Sequence, residues 1–103
     1  MDAVKLGILV NSDRHAKALI GLTKAALSKG HEVMAFFMDD GVKLLTNSAV
    51  TNLCKEPGVS MSFCDYTTQK NRISKEGICE DILCGSQYNN AAMNNEADRV
   101  IVL

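Results

Sequence analysis

Apolar residues fall in blocks along this chain, and the spacing inside the blocks changes from one to the next. Val4-Lys5-Leu6-Gly7-Ile8-Leu9-Val10 is nearly continuous, as a strand covered on both faces requires. A polar stretch follows in which Ser12 or Asp13 can cap a helix. Ala16, Leu19, Ile20, Thr23, Ala26 and Leu27 then recur at helical spacing up to Gly30. Val33-Met34-Ala35-Phe36-Phe37-Met38 predicts a second buried strand, closed by the turn signal Asp39-Asp40-Gly41. Ser48 can cap a shorter helix carrying Val50, Leu53 and Cys54, which must end near Pro57-Gly58 because proline disfavours helical geometry in the residue before it. Val59-Ser60-Met61-Ser62-Phe63 predicts strand three. A polar helical segment follows Thr67, Ser86 can cap a last helix, and Arg99-Val100-Ile101-Val102-Leu103 closes the sheet.

Strand and helix therefore alternate, which implies parallel strands joined by right-handed crossovers, with helices on both faces of a three-layer α/β sandwich. The expected sheet has four strands in the order 2-1-3-4. The 103 residues form a single domain, 1–103, large enough to bury about 65% of the unfolded chain's surface.

Hydrophobic residues make up 47% and charged residues 22%, so neither disorder nor a disulfide-stapled miniprotein is indicated. A net charge of −1 with no basic cluster gives no reason to expect nucleic acid as a partner. Met1-Asp2-Ala3 opens without the basic and apolar regions of a signal peptide. No apolar run approaches the ~18 residues of a membrane span, so a cytoplasmic chain with no membrane partner is expected.

In that compartment Cys54, Cys64, Cys79 and Cys84 stay reduced. They contain no C-x2-C pair and lie far from His15 and His31, which argues against a structural zinc site. Cys64 is distinctive because it directly follows strand three and precedes Thr67 and Thr68, which could start a helix. Ligands and chemistry collect at the carboxyl edge of open parallel sheets, and the N–H groups of a following helix favour thiolate over thiol. Asp65 opposes that activation if its carboxylate turns to the sulfur, whereas Lys70 and Arg72 could offset negative charge.

Other chemistries fail on spacing. Asn11-Ser12-Asp13-Arg14-His15 replaces the G-x-G-x-x-G of a dinucleotide-binding turn, and no phosphate loop is present. A receiver domain would place its aspartate where Cys64 stands. The stretch from Cys64 to Arg72 crosses an expected helix and does not form the short oxyanion cradle of cysteine phosphatases and rhodanese-like enzymes.

Three segments, in order, resemble the DsrE/DsrF family of small sulfur-relay proteins, which includes the Tus sulfur-transfer subunits. They are Val33-Met34-Ala35-Phe36-Phe37-Met38-Asp39-Asp40-Gly41-Val42, Val59-Ser60-Met61-Ser62-Phe63-Cys64 running on to Gly77-Ile78, and Ala97-Asp98-Arg99-Val100-Ile101-Val102. With the first strand and helix the resemblance spans essentially the whole chain. It implies a flavodoxin-like sheet, a homo-oligomer with a trimer or hexamer favoured, and a persulfide carried on Cys64 between sulfur donor and acceptor proteins, with no metal or organic cofactor. Asp40, Gly41, Asp65, Thr67, Thr68 and Lys70 are the candidate binding residues around it. Apolar helix faces around Leu44, Leu45 and Val50 are expected to lack intrachain cover and to form the oligomer interface. The competing reading is a noncatalytic oligomeric or small-ligand-binding module in which Cys64 only packs.

Overall fold

The computed structural model describes residues 3–103. Five parallel strands form one sheet: β1 (Lys5–Val10), β2 (Glu32–Phe37), β3 (Val59–Cys64), β4 (Ile82–Gly85) and β5 (Arg99–Val102). The helices are α1 (Ala16–Ser28), α2 (Ser48–Thr51), α3 (Asp65–Lys70) and α4 (Gln87–Glu96), with 3-10 segments over Asp39–Thr46 and Asn52–Lys55. The α/β class is as the alternation implies, but the sheet has five strands rather than four. Its order is β4-β3-β2-β1-β5, so β1 lies between β2 and β5 and not beside β3. Strand β4 escapes the sequence pattern because it is only four residues long and Leu83 and Cys84 in it are exposed.

The order explains how the helices divide between the faces. From β1 to β4 each crossover steps one strand in the same direction, and right-handedness keeps its helices on one face. The chain then returns across the sheet to place β5 beside β1, and α4 covers the opposite face, packing on β1, β2 and β3. The larger core lies on the first face and includes Ile8, Val33, Phe37, Met61 and Phe63, with Leu19 of α1. On the α4 face the sulfur-bearing side chain of Cys64 packs with Phe36 and Met93.

Leu44, Leu45 and Val50 are buried in the larger core, which corrects the expectation that they lack cover. Their shielding comes from the 3-10 segment, which replaces the simple turn expected at Asp39-Asp40-Gly41 and lies against the sheet. Gly41 permits that approach: a Cβ there would overlap the Val10 carbonyl. The exposed large apolar side chains are instead Leu22, Tyr66, Leu83, Tyr88, Val100 and Val102.

Helix boundaries shift by small steps with local causes. α1 has His15 at its N-cap with no side-chain cap bond, in place of Ser12 or Asp13. Asn47 rather than Ser48 caps α2, accepting the Ala49 N–H at 3.0 Å. Ser86 caps α4 as expected, and Asn89 folds back to accept the Ser86 N–H at 3.0 Å, completing a capping box. Helix α3 begins at Asp65, two residues before Thr67, so Cys64 itself occupies the N-cap.

Candidate active site around Cys64

Strands β3 and β4 are neighbours, with Cys64 paired to Gly85 in register. β3 runs into α3 on one face of the sheet, while β4 runs into α4 on the other. Adjacent strands whose connections depart to opposite faces open a crevice at their carboxyl ends, the usual location of ligand sites in parallel sheets. Here that crevice is a cleft of about 700 Å³ whose walls include Cys64, Asp65, Thr67, Gly85 and Gln87. Tyr66 and Tyr88 also line it and are 71% and 78% exposed. Gly85 is needed at this turn because a Cβ would run into the Asn89 side chain that completes the α4 cap.

The Cys64 side chain is only 4% exposed, and burial pushes its thiol pKa up. Four donors outweigh that cost and hold the pKa below the ordinary thiol value of 9.0: the Thr67 N–H, the Thr67 hydroxyl, the Gln87 side-chain amide and the Tyr66 N–H. No closed cap hydrogen bond to the neutral thiol is made, so these donors act chiefly on the charge of the thiolate. The Thr67 hydroxyl rests on the Cys64 carbonyl at 3.2 Å, but Thr68 already donates to that carbonyl at 2.9 Å. Thr67 can therefore turn its proton to an ionised sulfur without leaving the carbonyl unpaired. Gln87 also donates to Met38 Sδ at 3.7 Å and accepts from Asn90 Nδ2 at 3.1 Å, which fixes its amide over the strand ends.

Asp65 does not carry out the opposition open to it from sequence. Its carboxylate accepts from Lys75 Nζ at 2.8 Å and Gln69 Nε2 at 2.7 Å, and these bonds, with a contact from the Cys84 thiol, hold its pKa down. Burial and the Asp65 carboxylate push Cys84 up, so a second strand-end thiol beside the cleft remains protonated.

The structure thus brings Cys64, Asp65, Thr67 and Thr68 together. Lys70 is exposed and outside the cleft walls, and the cation that engages the site's carboxylate is Lys75. Asp40 lies on the 3-10 segment after β2, paired with Lys43 at 3.2 Å, and neither it nor Gly41 lines the cleft. Gln87 was missed by the sequence pattern. Its only signal was the Ser86 cap, which carries meaning for the site once β4 is placed beside β3.

Cys54 and Cys79 lie away from Cys64, beside the amino-terminal ends of β3 and β4. Burial and the neighbouring Cys79 thiol push Cys54 up to about 11.

The fold is a parallel α/β sheet with a buried thiol at a strand-to-helix junction, at the carboxyl ends of two adjacent strands. The chain belongs to the DsrE/DsrF-like family, whose model matches residues 4–103. Two solved structures share the fold at TM-score 0.74: the YchN protein from E. coli, at 13% identity, and MTH1491 from Methanobacterium thermoautotrophicum, described as a protein of unknown function, at 15%. Each alignment covers 99% of this chain and 100% of the other. No curated protein sequence matches the chain.

Proposed function

We propose that the protein is a sulfur-relay carrier in which Cys64 accepts, holds and passes sulfane sulfur as a persulfide. The observation that carries this reading is the set of donors from Thr67, Gln87 and Tyr66 that favours thiolate at a buried cysteine opening on a cleft. In the first step the Cys64 thiolate attacks the terminal sulfur of a donor persulfide. A new S–S bond forms, the donor's S–S bond breaks, and the donor leaves as thiolate. In the second step an acceptor thiolate attacks the outer sulfur of the Cys64 persulfide and Cys64 leaves as thiolate. Each step exchanges one S–S bond for another, so neither requires an external oxidant or reductant.

The geometry suits both halves of this cycle. A persulfide places its transferable sulfur about 2 Å beyond Sγ, which moves it from the packed position of Cys64 toward the cleft. The donors that stabilise the thiolate also make Cys64 a good leaving group. Tyr66 and Tyr88 offer exposed aromatic surface beside the cleft on which a donor or acceptor protein can dock. In this reading the carrier works in the cytoplasm as a homo-oligomer, with a trimer or hexamer favoured. The exposed Leu83, Val100 and Val102 replace the helix faces first expected to form the contact. Light scattering at micromolar concentration should report more than a monomer.

The competing reading, a noncatalytic oligomeric or ligand-binding module, draws on the contact of Cys64 with Phe36 and Met93, which is ordinary core packing for a cysteine. Intact mass after incubation with a cysteine desulfurase and its substrate separates the two. The relay requires a reducible gain of about 32 Da per sulfur atom, lost in Cys64→Ser and retained in Cys54→Ser. An adduct that survives Cys64→Ser, or none in the unaltered chain, overturns it.

A further inference from the structure

Cys54, Cys79 and Asp81 converge beside the amino-terminal ends of β3 and β4. Cys54 is carried by the 3-10 segment Asn52–Lys55 that leads toward β3. Cys79 and Asp81 come from the turn before β4, held by the Ile82 N–H donating to the Cys79 carbonyl at 2.9 Å. The two sulfurs and a carboxylate oxygen all lie within 4.8 Å of one another, and Cys79 Sγ is 3.7 Å from Asp81 Oδ2. We propose that these three side chains form a binding site for a soft divalent metal ion of the zinc class, with a fourth coordination position facing the adjoining cleft.

Coordination geometry supports this assignment. Zinc–sulfur bonds of about 2.3 Å and zinc–oxygen bonds of about 2.1 Å in a tetrahedron give a sulfur–oxygen edge of about 3.6 Å and a sulfur–sulfur edge of about 3.8 Å. The observed sulfur–oxygen separation already matches the first of these. The bound on the second leaves at most a small side-chain adjustment. Two thiolates select a soft or borderline ion over magnesium or calcium, and one carboxylate completes a three-ligand set of the kind that keeps an exchangeable position. A cystine between Cys54 and Cys79 would need the two sulfurs alone, and the third donor on the same point favours a metal. Glu80 and Ser60 line the adjoining cleft of about 620 Å³, and exposed Lys55 lies there too. The ligands are separated as Cys54 and Cys79-x-Asp81, a pattern in which no closely spaced cysteine pair announces the site.

Binding would tie the turn before β4 to the segment before β3. It involves neither Cys64 nor its donors, so the site stands or falls independently of the relay reading. The test uses the reduced 103-residue chain with Zn²⁺ alone and, for a spectrum, Co²⁺ alone. The expected results are one Zn²⁺ per chain by native mass spectrometry, thiolate-to-cobalt charge-transfer absorption, and a rise in thermal midpoint with Zn²⁺. Cys79→Ser and Asp81→Asn, neither at a fully buried position, should weaken the apparent affinity by at least about tenfold and abolish the thermal shift, with far-ultraviolet circular dichroism confirming that both remain folded. Cys64→Ser should bind as the unaltered chain does. Binding that persists in folded Cys79→Ser, that is lost in folded Cys64→Ser, or that is absent from the unaltered chain overturns the proposal.

Discussion

Gln87, the first residue of α4, lines the same cleft as Cys64, the last residue of β3, and its side-chain amide is among the groups that hold the Cys64 thiol pKa down. The two are 23 positions apart in sequence and meet only because β4 pairs with β3 and delivers the start of α4 to the cleft. The contact has a measurable consequence. Replacing Gln87 by Leu removes one donor to the thiolate and leaves burial unopposed by it. A hydrogen bond of about 0.5–1.5 kcal/mol corresponds to a roughly two- to tenfold slower alkylation of Cys64 near neutral pH. Gln87→Glu should be slower still, because its charge repels the thiolate. Equal rates in Gln87→Leu and the unaltered chain would remove Gln87 from the site.

Asp65 stands beside Cys64 in sequence yet acts on other groups. Its carboxylate is taken by Lys75 and Gln69, and its effect on a thiol falls on Cys84. Asp65→Asn should therefore leave the alkylation rate of Cys64 within about twofold of its starting value, since the carboxylate is exposed, screened by solvent and already engaged by Lys75 and Gln69. The same substitution should speed labelling of Cys84 by lowering its pKa. The Asp65 pKa lies below that of the unfolded chain, so the stability it lends is present above about pH 4 and is lost as the pH falls through its folded value. A large acceleration of Cys64 with Cys84 unchanged would show that the carboxylate faces the wrong thiol.

The cysteines should separate along the pH axis. Hydrogen bonds outweigh burial at Cys64 and set its alkylation midpoint below 9.0. Burial and Asp65 set that of Cys84 above it, while burial and Cys79 carry Cys54 to about 11. Site-resolved mass spectrometry of alkylated peptides across pH 6 to 12, about the range over which thiols titrate in proteins, reads all three. The linkage signs differ. Cys54, raised in the fold, contributes stability below the unfolded thiol pKa that is lost as the pH rises through about 11. Cys64, lowered in the fold, contributes stability above the unfolded pKa that is lost as the pH falls through its folded value. A Cys64 midpoint at or above that of Cys84 would contradict the geometry.

How much of this was legible in the sequence depends on whether a local signal existed. The buried strands around Ile8, Phe36 and Phe63 and the stripe of α1 declare themselves, because burial on both faces gives continuous apolar runs and a helix packed on a sheet gives a 3.6-residue period. The position of Cys64 after β3 follows from the same pattern. β4 does not, because four residues ending in Cys84-Gly85 carry too little apolar periodicity. Without β4 the strand order, the partner face of the cleft and the role of Gln87 were all out of reach. The cation followed the same logic: Lys70 is near in sequence, but the chain leaves α3 and turns back so that Lys75 reaches Asp65.

Thr23 offers a test of the fold independent of the site. It lies on the buried stripe of α1, fully shielded, and its hydroxyl finds no hydrogen-bond partner among the described residues. An unpaired buried hydroxyl costs roughly 1–3 kcal/mol of desolvation, whereas a methyl in its place would contact the same apolar neighbours. Valine has nearly the same shape and a similar helix propensity. Thr23→Val should therefore raise stability by about 1 kcal/mol, seen as a higher urea midpoint with an unchanged slope. Cys64 alkylation should not change, because α1 lies on the opposite face of the sheet. A loss of stability in Thr23→Val would mean that the hydroxyl bonds to the Leu19 carbonyl one turn earlier, the usual refuge of a threonine inside a helix.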